Sequence, residues 1–357
     1  MKETDTIFIA RFFAILGVIT VHSTSYINVN HSELNFLFLK TASLGAYGVH
    51  LFFLISGYCL AASYYNRKEN TFKYFFIRRF FRIAPLYFLI GIIFYFIISV
   101  AKYYYFNGSF SIVNTLSYSF SSSIYNFKNI ASNILFIHGF VESANNIVPG
   151  GWSIANEMFY YLLFPFLLRF LNLNSLRKNL NFFFLLVLAL YLINLITTSN
   201  LDKLELIQYL DFVFRKTIHP IIFFVIGIIF YNDKNLFFNN IIKPVLLILF
   251  VLVILLVLFY IYEIKIVAHL SLICLFILII IFINKKKTCG FFSKILINYG
   301  KASYSAYLVH FFLVDTVGYF LIQKYLLSYN NYLCLFIYLI IVLFLTYIVS
   351  RLINLTL

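Results

Sequence analysis

The sequence predicts an all-α fold, a polytopic transmembrane helical bundle of about ten spans with both termini cytoplasmic. Three observations predict it. First, the 357 residues are 63% hydrophobic and only 11% charged. An ordinary soluble domain is roughly one quarter charged, so this chain has too little charge to cover a water-exposed surface. Second, the apolar residues come in runs of about 20, long enough to cross a hydrocarbon core. Third, the basic residues gather at the ends of those runs, as positive-inside sorting requires. Lipid offers no partners for unpaired backbone groups, so spanning segments are helices or closed barrels. A barrel would show short alternating segments, and these runs do not alternate.

The net charge of +15 is then a matter of topology, and the partner it implies is the bilayer. No nucleic-acid partner is expected. The expected spans are approximately 6–27, 43–65, 83–103, 152–171, 181–199, 213–231, 243–262, 266–284, 299–324 and 331–355. The first run follows Glu3 and Asp5, carries Arg11 and His22, and lacks a small-residue cleavage site. It reads as a retained helix rather than a signal peptide. With the N-terminus inside, most of the 27 Lys and Arg residues fall on the cytoplasmic side, which favours an even number of spans. No internal repeat, soluble appendage or Pro/Gly-rich linker interrupts the chain, so residues 1–357 read as a single transmembrane domain. The longest connection, about 102–151, is rich in Ser, Asn and Tyr and too long for a simple turn. Cys59, Cys274, Cys289 and Cys334 are scattered. None has metal or redox spacing, so they read as packing residues and no metal is expected.

Ionisable residues within spans are costly and need a partner or a task. Arg11 and His22 share the first span. Eleven residues are about three turns plus 20°, so both lie on one face, about 16 Å apart. Each alone has a structural reading, a snorkelling arginine or a hydrogen-bonded packing histidine. The pair on one face favours function. Ser153, Glu157 and Tyr161 follow one another at i, i+4 and form a stripe. Depth counting places Glu157 and His22 at similar levels, about 7.5 Å below the outer ends of their spans. A carboxylate there would orient and charge the imidazole. Trp152 suits an interfacial anchor. Arg78, Arg79 and Arg82 sit at the cytoplasmic mouth of the third span, where planar guanidinium groups fit phosphate oxygens or lipid headgroups. Gly57, after Ser56, suits close helix packing. Ser303, Tyr307 and His310 share a helical face, and for His310 a functional and a core role are both open. His138, Glu142 and His219 are assigned no role.

Five segments recur here in a specific order. They are Arg11 to His22 (R-x10-H), Phe52 to Tyr58 (FFxxSGY), Arg79 to Tyr87 (RxxRIxPxY), Trp152 to Tyr161 (WSIxxExxYY) and Ser303 to His310 (SYSxYLxH). Each is short, but their joint order resembles the acyltransferase 3 family of integral-membrane O-acyltransferases. That family includes acetylases of O-antigen and of other cell-surface polysaccharides. The chain resembles a stand-alone member without the periplasmic hydrolase-like domain that some members carry.

The resemblance implies a bacterial inner-membrane enzyme. Acetyl-CoA, or another acyl-CoA, would bind from the cytoplasm as co-substrate. The acceptor would be a hydroxyl of a polysaccharide, such as lipopolysaccharide, or of a lipid-linked sugar. Together with the geometry above, it makes His22 and Glu157 the expected catalytic pair. Arg11, Arg78, Arg79 and Arg82 are the expected donor-binding residues. Trp152, Ser153, Tyr161 and His310 are the expected substrate-binding residues. The rival expectation is a transporter or flippase for a lipid-linked glycan. That would call for discontinuous helices in two related halves, and the sequence shows no such halves.

Overall fold

The computed structural model describes residues 3–24, 42–66, 71–105, 127–141, 146–171, 175–199, 208–209, 212–218, 220–232, 290–318 and 331–356. These residues are helical nearly throughout. Helix α1 is Glu3–Ser23. A short 3-10 turn, Leu44–Tyr47, leads into α2, Gly48–Tyr65. Helix α3, Phe72–Tyr105, is 34 residues long and contains Pro85. The short α4 is Phe127–Ile134, α5 is Trp152–Phe170 and α6 is Leu176–Ser199. A π turn, Phe214–Ile218, precedes α7, Ile221–Asn232. Helices α8, Phe291–Lys301, and α9, Ser303–Val317, abut at Ala302. Helix α10, Asn331–Thr356, closes the described chain.

Small residues set the closest helix contacts. Gly57 of α2 and Gly227 of α7 face one another's backbones. A Cβ on Gly57 would lie 2.1 Å from the Phe224 carbonyl oxygen, and one on Gly227 would lie 2.0 Å from the Leu54 carbonyl oxygen. Without side chains the two helices touch main chain to main chain, which is how small residues drive association where lipid removes the hydrophobic drive. The close packing expected at Gly57 is therefore present, and its partner is α7. Helix α1 packs in the same way on the turn before α2, with Gly17 and Gly45 in contact. Helix α1 also touches α8, α9 and α10. It thus runs through the middle of the bundle, where its polar residues meet other helices.

Proline is tolerated within these helices because neighbours take up the freed backbone groups. Two residues before Pro85, the Tyr304 hydroxyl of α9 donates to the Ile83 carbonyl at 2.7 Å, tying α9 to α3.

The expectation of ten spans is corrected. Among the described residues four helical segments are long and apolar enough to cross a membrane: Thr4–Ser23, Leu44–Tyr65, Phe72–Ile97 and Phe336–Leu355. Apolar runs that hydropathy joins into single spans hold more than one element. The run 213–231 holds the π turn and a 12-residue helix, with residue 219 between them outside the described residues. The run 299–324 breaks at Ala302 between α8 and α9, and its residues 319–324 lie outside the described residues. The run 152–171 does form one helix, but its first turns carry Ser153, Asn156 and Glu157, which serve the interior. Helix α6 covers 181–199, and the side chains of residues 194–199 lie outside the described residues. The expected spans 243–262 and 266–284 lie outside them altogether. The cytoplasmic placement of both termini rested on the Lys and Arg count around ten spans, and the four long helices do not determine it.

Candidate active site

One face of each of five helices meets at a cavity. Helix α1 supplies Arg11, α2 supplies Phe52, Ser56 and Cys59, and α3 supplies Arg82 and Ile83. Helix α5 supplies Ser153, Glu157 and Tyr161, and α9 supplies Ser303, Tyr304 and Tyr307. About 710 Å³ of atom-free space, open solvent at its mouth included, lies between these side chains. The stripe spaced i, i+4 on α5 therefore turns inward as a unit.

Glu157 is held by two hydroxyls. Ser56 Oγ donates to its Oε1 at 2.8 Å, and the Tyr161 hydroxyl donates to the same oxygen. The two hydroxyl oxygens are 3.3 Å apart. Both bonds fall on Oε1, so the second carboxylate oxygen has no protein partner among the described residues. Neither bond goes to His22, the expected neighbour of this carboxylate. Arg79 and Arg82 lie within electrostatic reach of Tyr161, and Arg79 also of Glu157. Arg79 is 8% exposed and its guanidinium sits 5.9 Å from the centre of the Phe75 ring. Arg82 is exposed and lines the cavity. Arg78 and Trp152 stand outside the lining, and Trp152 packs half-buried against the apolar core.

At one end of the cavity Ser153 and Tyr307 close around a turn. Ser153 Oγ donates to the Tyr307 hydroxyl oxygen at 2.8 Å, and that hydroxyl donates to the Gly150 carbonyl at 3.1 Å. Gly150 has φ +75, the left-handed region that glycine enters without cost. A Cβ there would also lie 2.9 Å from a Phe311 ring carbon.

His22 sits beyond this turn. Its ring centre is 4.2 Å from that of Phe311 and 5.5 Å from that of His310. Phe311 also lies 4.3 Å from His310. His310 is fully buried, and its Nδ1 bonds the Tyr307 carbonyl at 2.5 Å. His22 thus stands beside His310, while the two hydrogen bonds of Glu157 go to Ser56 and Tyr161. Arg11, which shares the face of α1 with His22, does line the cavity.

Behind the Gly150 turn lies a polar anchor to which the sequence reading assigned nothing. His138 is 1% exposed, and its Nε2 is 3.0 Å from the Gly151 carbonyl. Its ring stacks on Tyr87, 6.1 Å between centres at 4°. The Tyr87 hydroxyl donates to Asn133 Oδ1 at 2.6 Å, and the Ile147 amide donates to the same oxygen at 3.2 Å. Burial lowers the pKa of His138 below the ordinary 6.5, against the opposing pull of its bond to Gly151. The neutral ring therefore donates from Nε2 and holds the start of α5 in place. Buried Asn129, Ser132 and Asn133 in one short helix were the available sequence signal.

Among the described residues no group of three His, Cys, Asp or Glu side chains gathers in a way that could hold a metal ion. Helices built to cross a bilayer, packed around an internal cavity with arginine, carboxylate and hydroxyl groups, define a membrane-embedded protein with a polar site inside the bundle. The acyltransferase domain family (acyltransferase 3) matches residues 6–351, and the chain belongs to that family of membrane acyltransferases. No curated protein and no solved structure matches the chain.

Proposed function

We propose that this protein is an O-acyltransferase of the bacterial inner membrane, moving an acetyl group from cytoplasmic acetyl-CoA to a hydroxyl of a cell-surface polysaccharide or lipid-linked sugar. The observation that carries this reading is the single cavity that brings Arg11 and Arg82 together with Glu157, Ser153 and Tyr307. On this reading Arg78, Arg79 and Arg82 take the phosphates of the donor at the basic end, where positive charge marks the cytoplasmic face. The pantetheine arm extends through the cavity past Glu157, whose unshared oxygen accepts from an amide N–H of the arm. The thioester arrives at Ser153 and Tyr307, and the Ser153 hydroxyl turns its one hydrogen from the Tyr307 oxygen to the oxyanion that develops on the carbonyl, while Tyr307 stays bound to Gly150. Trp152 borders the acceptor on the outer side.

His22 is the general base. A thioester is an activated acyl donor, so the main demands are removing the proton of the alcohol and orienting it. His22 takes that proton as the alcohol oxygen bonds to the acyl carbon. The C–S bond then breaks, and the proton passes from His22 to the leaving thiolate, which departs as CoA thiol. Residues 1–357 act in this scheme as one domain.

The test uses membranes of expressing cells, radiolabelled acetyl-CoA and the extracted surface glycan. Wild-type membranes are expected to label the glycan. His22→Ala is expected to reduce labelling by at least ~100-fold, the scale of a lost general base, with donor binding retained. Near-normal labelling by His22→Ala would overturn the mechanism. Absence of labelling by wild-type membranes, with glycan still carried across, would instead favour a transporter.

A further inference from the structure

His310 is placed to act on His22 from behind. Its Nδ1 meets the carbonyl of Tyr307, one turn earlier on α9. A carbonyl oxygen only accepts, so Nδ1 carries the hydrogen and Nε2 is left with a lone pair. That Nε2 is buried and has no hydrogen-bond partner. The ring is closed in by Tyr307, 5.2 Å away between centres, and by Phe311. The polar side chain whose ring stands against it is His22, at 5.5 Å and tilted by 43°. Two imidazole radii of about 1.1 Å and an N–H···N bond of about 3 Å add to roughly that separation. A rotation of the half-buried His22 ring closes the bond. A buried acceptor with nothing to accept is costly and rare; here a donor stands one ring away.

We propose that His310 is the positioning residue of His22, its Nε2 accepting the ring N–H of His22 and so fixing the tautomer in which the other His22 nitrogen faces the acceptor hydroxyl. This rests on the reading of His22 as general base. His310 is not protonated in the cycle. The proton leaves the alcohol for His22 and then leaves His22 for the CoA thiolate, while the Nε2 lone pair stabilises the imidazolium between those events. The role is one carboxylates often fill. Glu157, the carboxylate of the cavity, is engaged by Ser56 and Tyr161.

The experiment uses the full-length protein, in expressing membranes for rates and purified in nanodiscs for spectra. His310→Asn keeps an N–H near the Tyr307 carbonyl and removes the acceptor at the Nε2 position. His310→Gln extends a carbonyl oxygen to that position. With radiolabelled acetyl-CoA as donor and the membranes' own glycan as acceptor, His310→Asn is expected to lower kcat roughly 100-fold, the lower range for general-base function. The KM for acetyl-CoA is expected to stay within about twofold, because a positioning residue acts on the step and not on donor binding. His310→Gln is expected to recover at least about tenfold of the loss. Nitrogen-15 spectra of histidine-labelled wild-type protein supply a readout independent of any variant's folding. His22 is expected to show one protonated and one unprotonated ring nitrogen, with the two converging in His310→Asn.

Equal losses in the Asn and Gln variants would assign His310 to packing and overturn the proposal. So would a His22 ring that averages between tautomers in the wild-type protein. If His22→Ala is inactive while His310→Asn keeps the wild-type kcat, this inference fails alone. If His22→Ala is active, the parent reading fails.

Discussion

Glu157 owes its place to hydroxyls rather than to a cation or an imidazole. Two O–H donors on one oxygen leave the other oxygen for a ligand, and that division suits a cavity better than a closed ion pair would. His138 is the buried histidine whose charge state bears on stability. Its folded pKa lies below the ordinary 6.5, so the unfolded chain binds the proton more readily. Its contribution is whole above about pH 6.5 and is lost as the pH falls through that value. The thermal midpoint in detergent is expected to fall between about pH 7.5 and 5.5, and to fall less steeply in His138→Gln. Equal slopes in scanning fluorimetry would remove His138 from this role. Much of the residue scale was legible beforehand. The i, i+4 stripe on α5 does line the cavity, because helical periodicity fixes which residues share a face. The partner of His22 was not legible. Depth along a span follows from counting, but the rotation of one helix towards another depends on packing that no single segment encodes.

At the scale of elements, the seam between α2 and α7 is the least forgiving joint. Added atoms at Gly57 would meet the Phe224 carbonyl, and main chain cannot swing aside as a side chain can. Gly57→Leu is expected to abolish accumulation of a monodisperse protein in detergent. Gly57→Ala is expected to accumulate with a destabilisation of about 1–3 kcal/mol or more, the cost of overpacking. Size-exclusion profiles of the two variants check this, and a wild-type profile for Gly57→Leu would contradict the contact. The Gly57 half of the seam could be read from Ser56-Gly57 in an apolar run. The Gly227 half was hidden in a run where nearly every residue is apolar. Hydropathy averaging also concealed the break at Ala302, because a change of backbone path leaves the mean apolarity of a window untouched.

For the whole molecule, membrane residence followed from composition, since burial in lipid is the one setting that tolerates so little charge. The number of crossings did not follow, because apolar runs also build short helices that stay within the bundle. The distribution of charge over the molecule makes a further expectation. Arg82 lines the cavity and is open to solvent, and in the proposed reaction it would meet the donor first. Arg82→Gln is expected to raise the KM for acetyl-CoA about tenfold with a smaller effect on kcat. Added salt is expected to raise the wild-type KM more steeply than that of the variant, because screening acts on the charge the variant lacks. A KM unchanged by the substitution would move donor recognition away from this mouth.

Tyr307 belongs to both halves of the site. Its hydroxyl is fastened to Ser153 and the Gly150 turn, and its carbonyl grips His310. A tilt of α9 that slackened one joint would slacken the other. The chamber that would receive a thioester and the histidine pair whose outer ring would receive a proton are geared to a single tooth, so they come into register together or not at all.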